Sequence, residues 1–212
     1  MEIQEGDKDL VPFSFEDKTA DEVINMTSSY QDIANIPLII STDEEGGEVN
    51  RVSLNENLRL VPFWSPQDLY AKGGFELIKS DTEEKADLLL SLGINVNLAP
   101  VCDVPLSEDN YIYDRTFSMD AEETGEYVSL VVSTMKDKGI GSTLKHFPGY
   151  GGSVDTHENA SYDDRDYSAF ENGDFIPFIK GIENGADSVL VSHNIVECMD
   201  PDMPASLSKP IH

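Results

Sequence analysis

Residues Ala121 to His157, AEETGEYVSLVVSTMKDKGIGSTLKHFPGYGGSVDTH, hold a complete helix–strand–loop unit. Ala121 to Lys138 reads as a helix with an acidic start and a basic end, as the helix dipole prefers. Gly139 stands just beyond as its stop. Ile140 to Phe147 then reads as a strand that turns polar at Lys145-His146. A loop rich in glycine and proline follows and carries Asp155 and His157.

Outward from this unit the alternation repeats. Helices are expected over Ala20–Ala34, Asp81–Leu92 and Ala169–Asn184, each with apolar residues at helical spacing. Short apolar runs over Ile36–Thr42, Ile94–Val101 and Ser188–His193 read as strands. Their lack of alternation predicts burial on both faces. Strand and helix in turn give an α/β fold with a parallel sheet, either an open doubly wound sheet or a barrel. The chain has no GxGxxG or Walker loop, which disfavours nucleotide binding. Each strand ends in polar residues: Asp43-Glu44-Glu45-Gly46-Gly47, Asp103, Lys145-His146 and His193-Asn194. In a (β/α)8 barrel such ends share one active-site face. Residues 1–212 therefore read as one partial barrel domain of four strand–helix units, since a complete barrel takes about 250 residues.

The net charge of −27 repels phosphate backbones and argues against nucleic acid or anionic membrane as a partner. No apolar run approaches the roughly 20 residues of a membrane helix. Met1 to Leu10 lack the basic start and apolar core of a signal peptide, which leaves localisation open. Cys102 and Cys198 are far apart in sequence and read as two buried free thiols.

The chemistry concentrates in Lys145–His157. In an extended Asp-x-His, the two side chains point the same way. A carboxylate beside an imidazole fixes its tautomer and stabilises its protonated form, the equipment of a general acid and base. The bland alternative is a solvated loop. The whole string KHFPGYGGSVDTH is similar to the KHFPGHG-x-x-x-x-D-[ST]-H signature of β-N-acetylglucosaminidases in glycoside hydrolase family 3. IPLIISTDEEGGEVNRV resembles that family's D-[EQ]-E-G-G-x-V-x-R block. GINVNLAPVCDV, YDRTF and VLVSHNIVECMDPDMPASLS resemble further blocks, in order.

The resemblance implies a TIM-like barrel and a retaining glycosidase that removes terminal β-N-acetylglucosamine from a small carbohydrate substrate, with no cofactor and no resident metal. It implies His157 as acid/base oriented by Asp155, with Asp43, Arg51, Arg115, Lys145 and His146 binding the sugar. A pyranose presents vicinal hydroxyls: Asp43 can accept from two at once, while Arg and Lys donate to others. The family's nucleophile is an aspartate in a TDDL-like block, which does not occur in these residues, so it is expected beyond His212. Tyr150 stands where the signature often has His.

Glu44 and Glu45 read as a solvated turn, Asn97 as a satisfied core amide, and His193 and Asn194 as even between pocket and structure. For Arg115 the structural alternative is an ion pair with Asp114. The loop Gly149–Asp155 is expected to be mobile without ligand. Rival functions are a β-glucosidase or phosphorylase of the same family, a metal-dependent hydrolase using His146, Asp155, His157 and His193, and a fragment that binds sugar without cleaving it. An incomplete barrel is expected to dimerise, aggregate or stay marginally stable.

Overall fold

A computed structural model describes residues 14–150 and 161–212. Asp155 and His157 lie outside the described residues, with most of the loop that carries them.

The elements in chain order are α1 (Ala20–Ile33), β1 (Ser41–Thr42), α2 (Pro66–Ser91), β2 (Val96–Asn97), α3 (Ala121–Lys138), β3 (Gly141–Phe147), β4 (Tyr162–Asp163), α4 (Tyr167–Ala169), α5 (Phe175–Glu183), β5 (Ser188–Val191) and β6 (Ile195–Val196). A π-helical segment, Phe170–Asp174, joins α4 to α5. The main sheet runs β1-β2-β3-β5, and its strands are parallel throughout. Helix α1 precedes β1, and α2, α3 and α5 each stand between successive strands of the sheet. β4 and β6 form a small parallel pair beyond the polar strand ends.

Local chemistry accounts for the helix limits. Thr19 and Glu22 make a reciprocal capping box at the start of α1. Asp120 caps α3, Glu122 and Glu123 fill its first turn, and Gly139 closes it at φ 81°. α2 starts earlier than the expected Asp81: Ser65 caps it, Pro66 occupies its first turn, and it kinks at Gly74, with φ 61°. Gly74 leaves helical geometry there, so α2 is two helical arms joined across this kink.

The first strand is shorter than expected. Leu38 N–H and C=O bond to the Gln31 side chain, and Ile40 N–H bonds to Asn95 Oδ1, so these peptide groups leave the ladder. Burial on both faces holds for β3 but fails for the outer strands. Ile36 and Ile39 are nearly 80% exposed (78% and 79%), and Val189 on β5 is 39% exposed. β1 and β5 are the edges of this sheet among the described residues. The two thiols also differ from expectation: Cys102 is buried, but Cys198 is exposed.

The core lies between the sheet and α2, α3 and α5, around Leu89, Val128, Val132, Met135, Leu144 and Phe178. Gly181 lets α5 close onto it, because a Cβ there would stand 2.7 Å from Leu144 and 2.9 Å from Val128. This packing fixes β3, and with it the strand end that carries Lys145 and His146.

Candidate active site

Four strand ends deliver the polar residues to one side of the sheet. Asp43 follows β1, Asp103 follows β2, Lys145 and His146 end β3, and His193 follows β5. A cavity of about 430 Å³ opens there, lined by Asp43, Arg51, Arg115, Lys145 and His146 together with Tyr111, Tyr150 and His193. All five residues expected to bind a sugar thus meet at one cavity.

Consecutive residues on a strand normally face opposite sides. The β3–β5 register shifts between Lys145 and Phe147, leaving His146 out of step. A shift of this kind re-aims a side chain, and Lys145 and His146 both reach the cavity.

The polar atoms form a continuous chain. Lys145 Nζ, with a side chain only 2% exposed, lies 2.6 Å from Asp43 Oδ1 and 2.6 Å from Glu45 Oε1. Arg115 donates to the same Glu45 through Nη2 at 2.8 Å and Nε at 3.1 Å. Arg115 Nη2 lies 3.4 Å from His146 Nε2, and His146 Nδ1 lies 2.7 Å from Asp103 Oδ2. A carboxylate only accepts, so the proton sits on Nδ1 and the Nε2 lone pair faces Arg115. Asp103 also accepts from Tyr150 N–H at 2.7 Å, tying the start of the glycine loop to the segment that follows β2.

Glu44 and Glu45 are not a solvated turn. Both are buried, Glu44 fully and Glu45 to 6% exposure. The Glu44 carboxylate accepts the N–H groups of Arg51, Val52 and Ser53 and the Ser53 hydroxyl. It thereby shapes the turn that presents Arg51. Burial alone would raise the Glu45 carboxyl, but Lys145 and Arg115 outweigh it and hold Glu45 below the usual carboxylate range. Burial likewise works against the Arg115 charge, and Glu45 more than offsets that. Arg115 therefore pairs with Glu45, not with its neighbour Asp114.

Asn97 is a satisfied core amide, bonded to both the N–H and the C=O of Glu44. Gln67 of α2 holds the loop before Arg115 through Tyr113 C=O at 2.8 Å. Asn194 is buried and donates to Gly149 C=O, while His193 is exposed, lines the cavity and bonds Ser206 through Nδ1. Sequence reading missed Glu44, Glu45 and Asp103 as anchors. The available signal was charge: buried strand-end cations require carboxylate partners close by. Among the described residues no three His, Cys, Asp or Glu side chains converge as a metal would need.

The glycosyl hydrolase family 3 N-terminal domain model matches residues 10–211. A beta-hexosaminidase of Hydrogenovibrio crunogenus is 31% identical over 205 residues, 94% of this chain and 57% of that protein. One from Xanthomonas oryzae is 30% identical over 89% of this chain and 57% of its own length. Among solved structures, a family 3 β-N-acetylglucosaminidase from Paenibacillus superposes with a TM-score of 0.84 at 30% identity, covering 92% of this chain and 38% of that one. A β-N-acetylhexosaminidase from Beutenbergia cavernae gives 0.79 at 30% identity, over 91% and 58%. The chain thus spans a little over half the length of the curated relatives it matches. Its four strand–helix units correspond to part of the TIM barrel of these structures.

Proposed function

The chain belongs to the family of glycosyl hydrolase family 3 N-terminal domains, and on that premise we propose that it supplies the sugar-binding half of a retaining β-N-acetylhexosaminidase site. The observation that carries this reading is the meeting of Asp43, Arg51, Arg115, Lys145 and His146 at one cavity beside the parallel strand ends. Carboxylate, ammonium and guanidinium at hydrogen-bonding separations suit the vicinal hydroxyls of a pyranose. Asp43 accepts hydroxyl protons, Lys145 and Arg115 donate, and His146 offers its Nε2 lone pair. Binding of this kind orients the sugar and supports the oxocarbenium-like transition state through groups already in place.

The proposed reaction has two steps. In the first, a carboxylate attacks the anomeric carbon and the C1–O bond to the leaving group breaks. His157, polarised by Asp155, gives its proton to the departing oxygen. In the second, His157 takes a proton from water as water displaces the carboxylate from C1. The nucleophile is proposed to come from a later strand of a longer chain, in a TDDL-like block. The substrates this implies are terminal β-N-acetylglucosaminides.

Two measurements test the reading. Calorimetric titration of the 212-residue chain with N-acetylglucosamine is expected to show binding that Lys145→Met weakens by about tenfold or more. Assay of a chromogenic β-N-acetylglucosaminide is expected to show turnover only with a chain that extends through the later strands. In that longer chain, His157→Ala should be slow on substrates with poor leaving groups and much less impaired on activated ones. Turnover by the short chain would relocate the nucleophile, and unchanged activity of His157→Ala would remove the acid/base assignment.

A further inference from the structure

Asp43, Lys145 and Arg115 line the cavity, but Glu45, which joins the two cations, does not. Its side chain is 3% exposed and sits behind them. Oε1 takes Lys145 Nζ at 2.6 Å and Arg115 Nη2 at 2.8 Å, while Oε2 takes Arg115 Nε at 3.1 Å. One carboxylate therefore sets the distance between a cation that ends β3 and another on the separate Tyr113–Arg115 turn.

Glu45 cannot easily swing away. Its N–H bonds Val49 C=O at 2.9 Å, and its C=O accepts Lys85 Nζ at 3.0 Å. Lys85 is itself paired with Asp81 at 3.2 Å, on α2. Gly46 follows at φ 103°, pressed so close to Trp64 that a Cβ would stand 2.2 Å from its carbonyl oxygen. Asp43 and Glu45 also balance Lys145 and Arg115 charge for charge. Without Glu45, the buried Lys145 and the partly buried Arg115 would lose the carboxylate they share.

We infer that Glu45 is a positioning residue: it acts through Lys145 and Arg115, fixing the spacing and charge of the two donors so that they meet a rigid sugar without reorganising. This rests on the sugar-binding reading of the cavity, but the placement of the cations can be measured without a sugar.

The test uses the 212-residue chain and its Glu45→Gln variant, which keeps shape and removes charge. The first readout is hydrogen exchange of arginine Nε–H signals by NMR. Arg115 Nε–H should exchange faster by at least about tenfold in Glu45→Gln. Arg165 Nε–H, held by Asp163 at 2.9 Å in a separate cluster, should not change and reports that the fold is intact. Should Glu45→Gln not fold, Glu45→Asp keeps the charge, shortens the arm by one methylene, and carries the same readout. An unchanged Arg115 signal overturns the inference.

The second readout is N-acetylglucosamine affinity. Glu45→Gln should weaken it by about tenfold, and by less when added to Lys145→Met, where only its hold on Arg115 remains to be lost. Equal losses in both backgrounds, or none in either, would overturn positioning while leaving the cavity a sugar site. If the unaltered chain binds no N-acetylglucosamine but Arg115 still loosens in Glu45→Gln, the anchoring stands and the sugar reading falls.

Discussion

The site depends on single carboxylates placed where burial would otherwise neutralise them. Asp174 is a second case, with its carboxyl packed against Gly149. Burial raises its carboxyl to about 6, against the pull of Arg165, whose Nη1 lies 2.8 Å away; Asp103 adds to the rise. An acid whose folded pKa is raised prefers the folded state when protonated. Its contribution therefore falls as pH rises from about 3.8 to about 6. At about 1.4 kcal/mol per pK unit, this group costs up to about 3 kcal/mol of stability across that window. Asp174→Asn removes the dependence, whatever it does to Arg165. Urea unfolding at pH 4, 5 and 7 should show the variant gaining on the unaltered chain as pH rises. A constant gap would mean that Asp174 titrates as an ordinary carboxyl.

At the scale of elements, the turn after β1 carries more than its length suggests. Within residues 43–51 it supplies a cavity acceptor, two buried anchors and a cavity guanidinium. Gly46 and Gly47 make that possible at φ 103° and 65°, with backbone and side-chain atoms of Trp64 and Ser65 against them. Gly46→Ala should therefore cost about 2 kcal/mol or more, from left-handed strain and the clash with the Trp64 carbonyl. Thermal or urea unfolding would read it, and a loss under half a kcal/mol would show that the turn can yield. Gly74→Ala is a useful contrast, since a Cβ there meets nothing within 4 Å and only the backbone strain remains.

At the scale of the whole molecule, the parallel sheet ends in two open edges. Ile36 and Ile39 lie exposed before β1, and Ile179, Ile182 and Val189 at the β5 side are 51%, 58% and 39% exposed. Unpaired edges with apolar neighbours favour association. The charge of −27 opposes it at low ionic strength and is screened by salt. Light scattering should find a mass above 23.4 kDa that rises with concentration and with salt, and Ile39→Lys should lower it. A monomer at all concentrations and salts would show the edges to be adequately solvated.

Helix–strand alternation, helix caps and apolar strand runs made the α/β fold, the parallel order and the polar strand ends legible in sequence, because each is a local property. The α3 limits, Ala121–Lys138, follow from dipole charges and a stop glycine alone. The five cavity residues were legible through resemblance and strand-end position. The rest depended on contacts between residues distant in sequence. Glu45 read as a solvated turn because its partners, Lys145 and Arg115, stand 100 and 70 residues away. The joint reach of Lys145 and His146 required a register shift that only pairing with β5 creates. The exposure of Ile36 and Ile39 follows from their edge position, since an apolar run is buried only where neighbouring strands and helices cover it. Sequence determined which elements form and in what order; tertiary packing decided which carboxylates are buried, which cations they hold, and which apolar faces remain open.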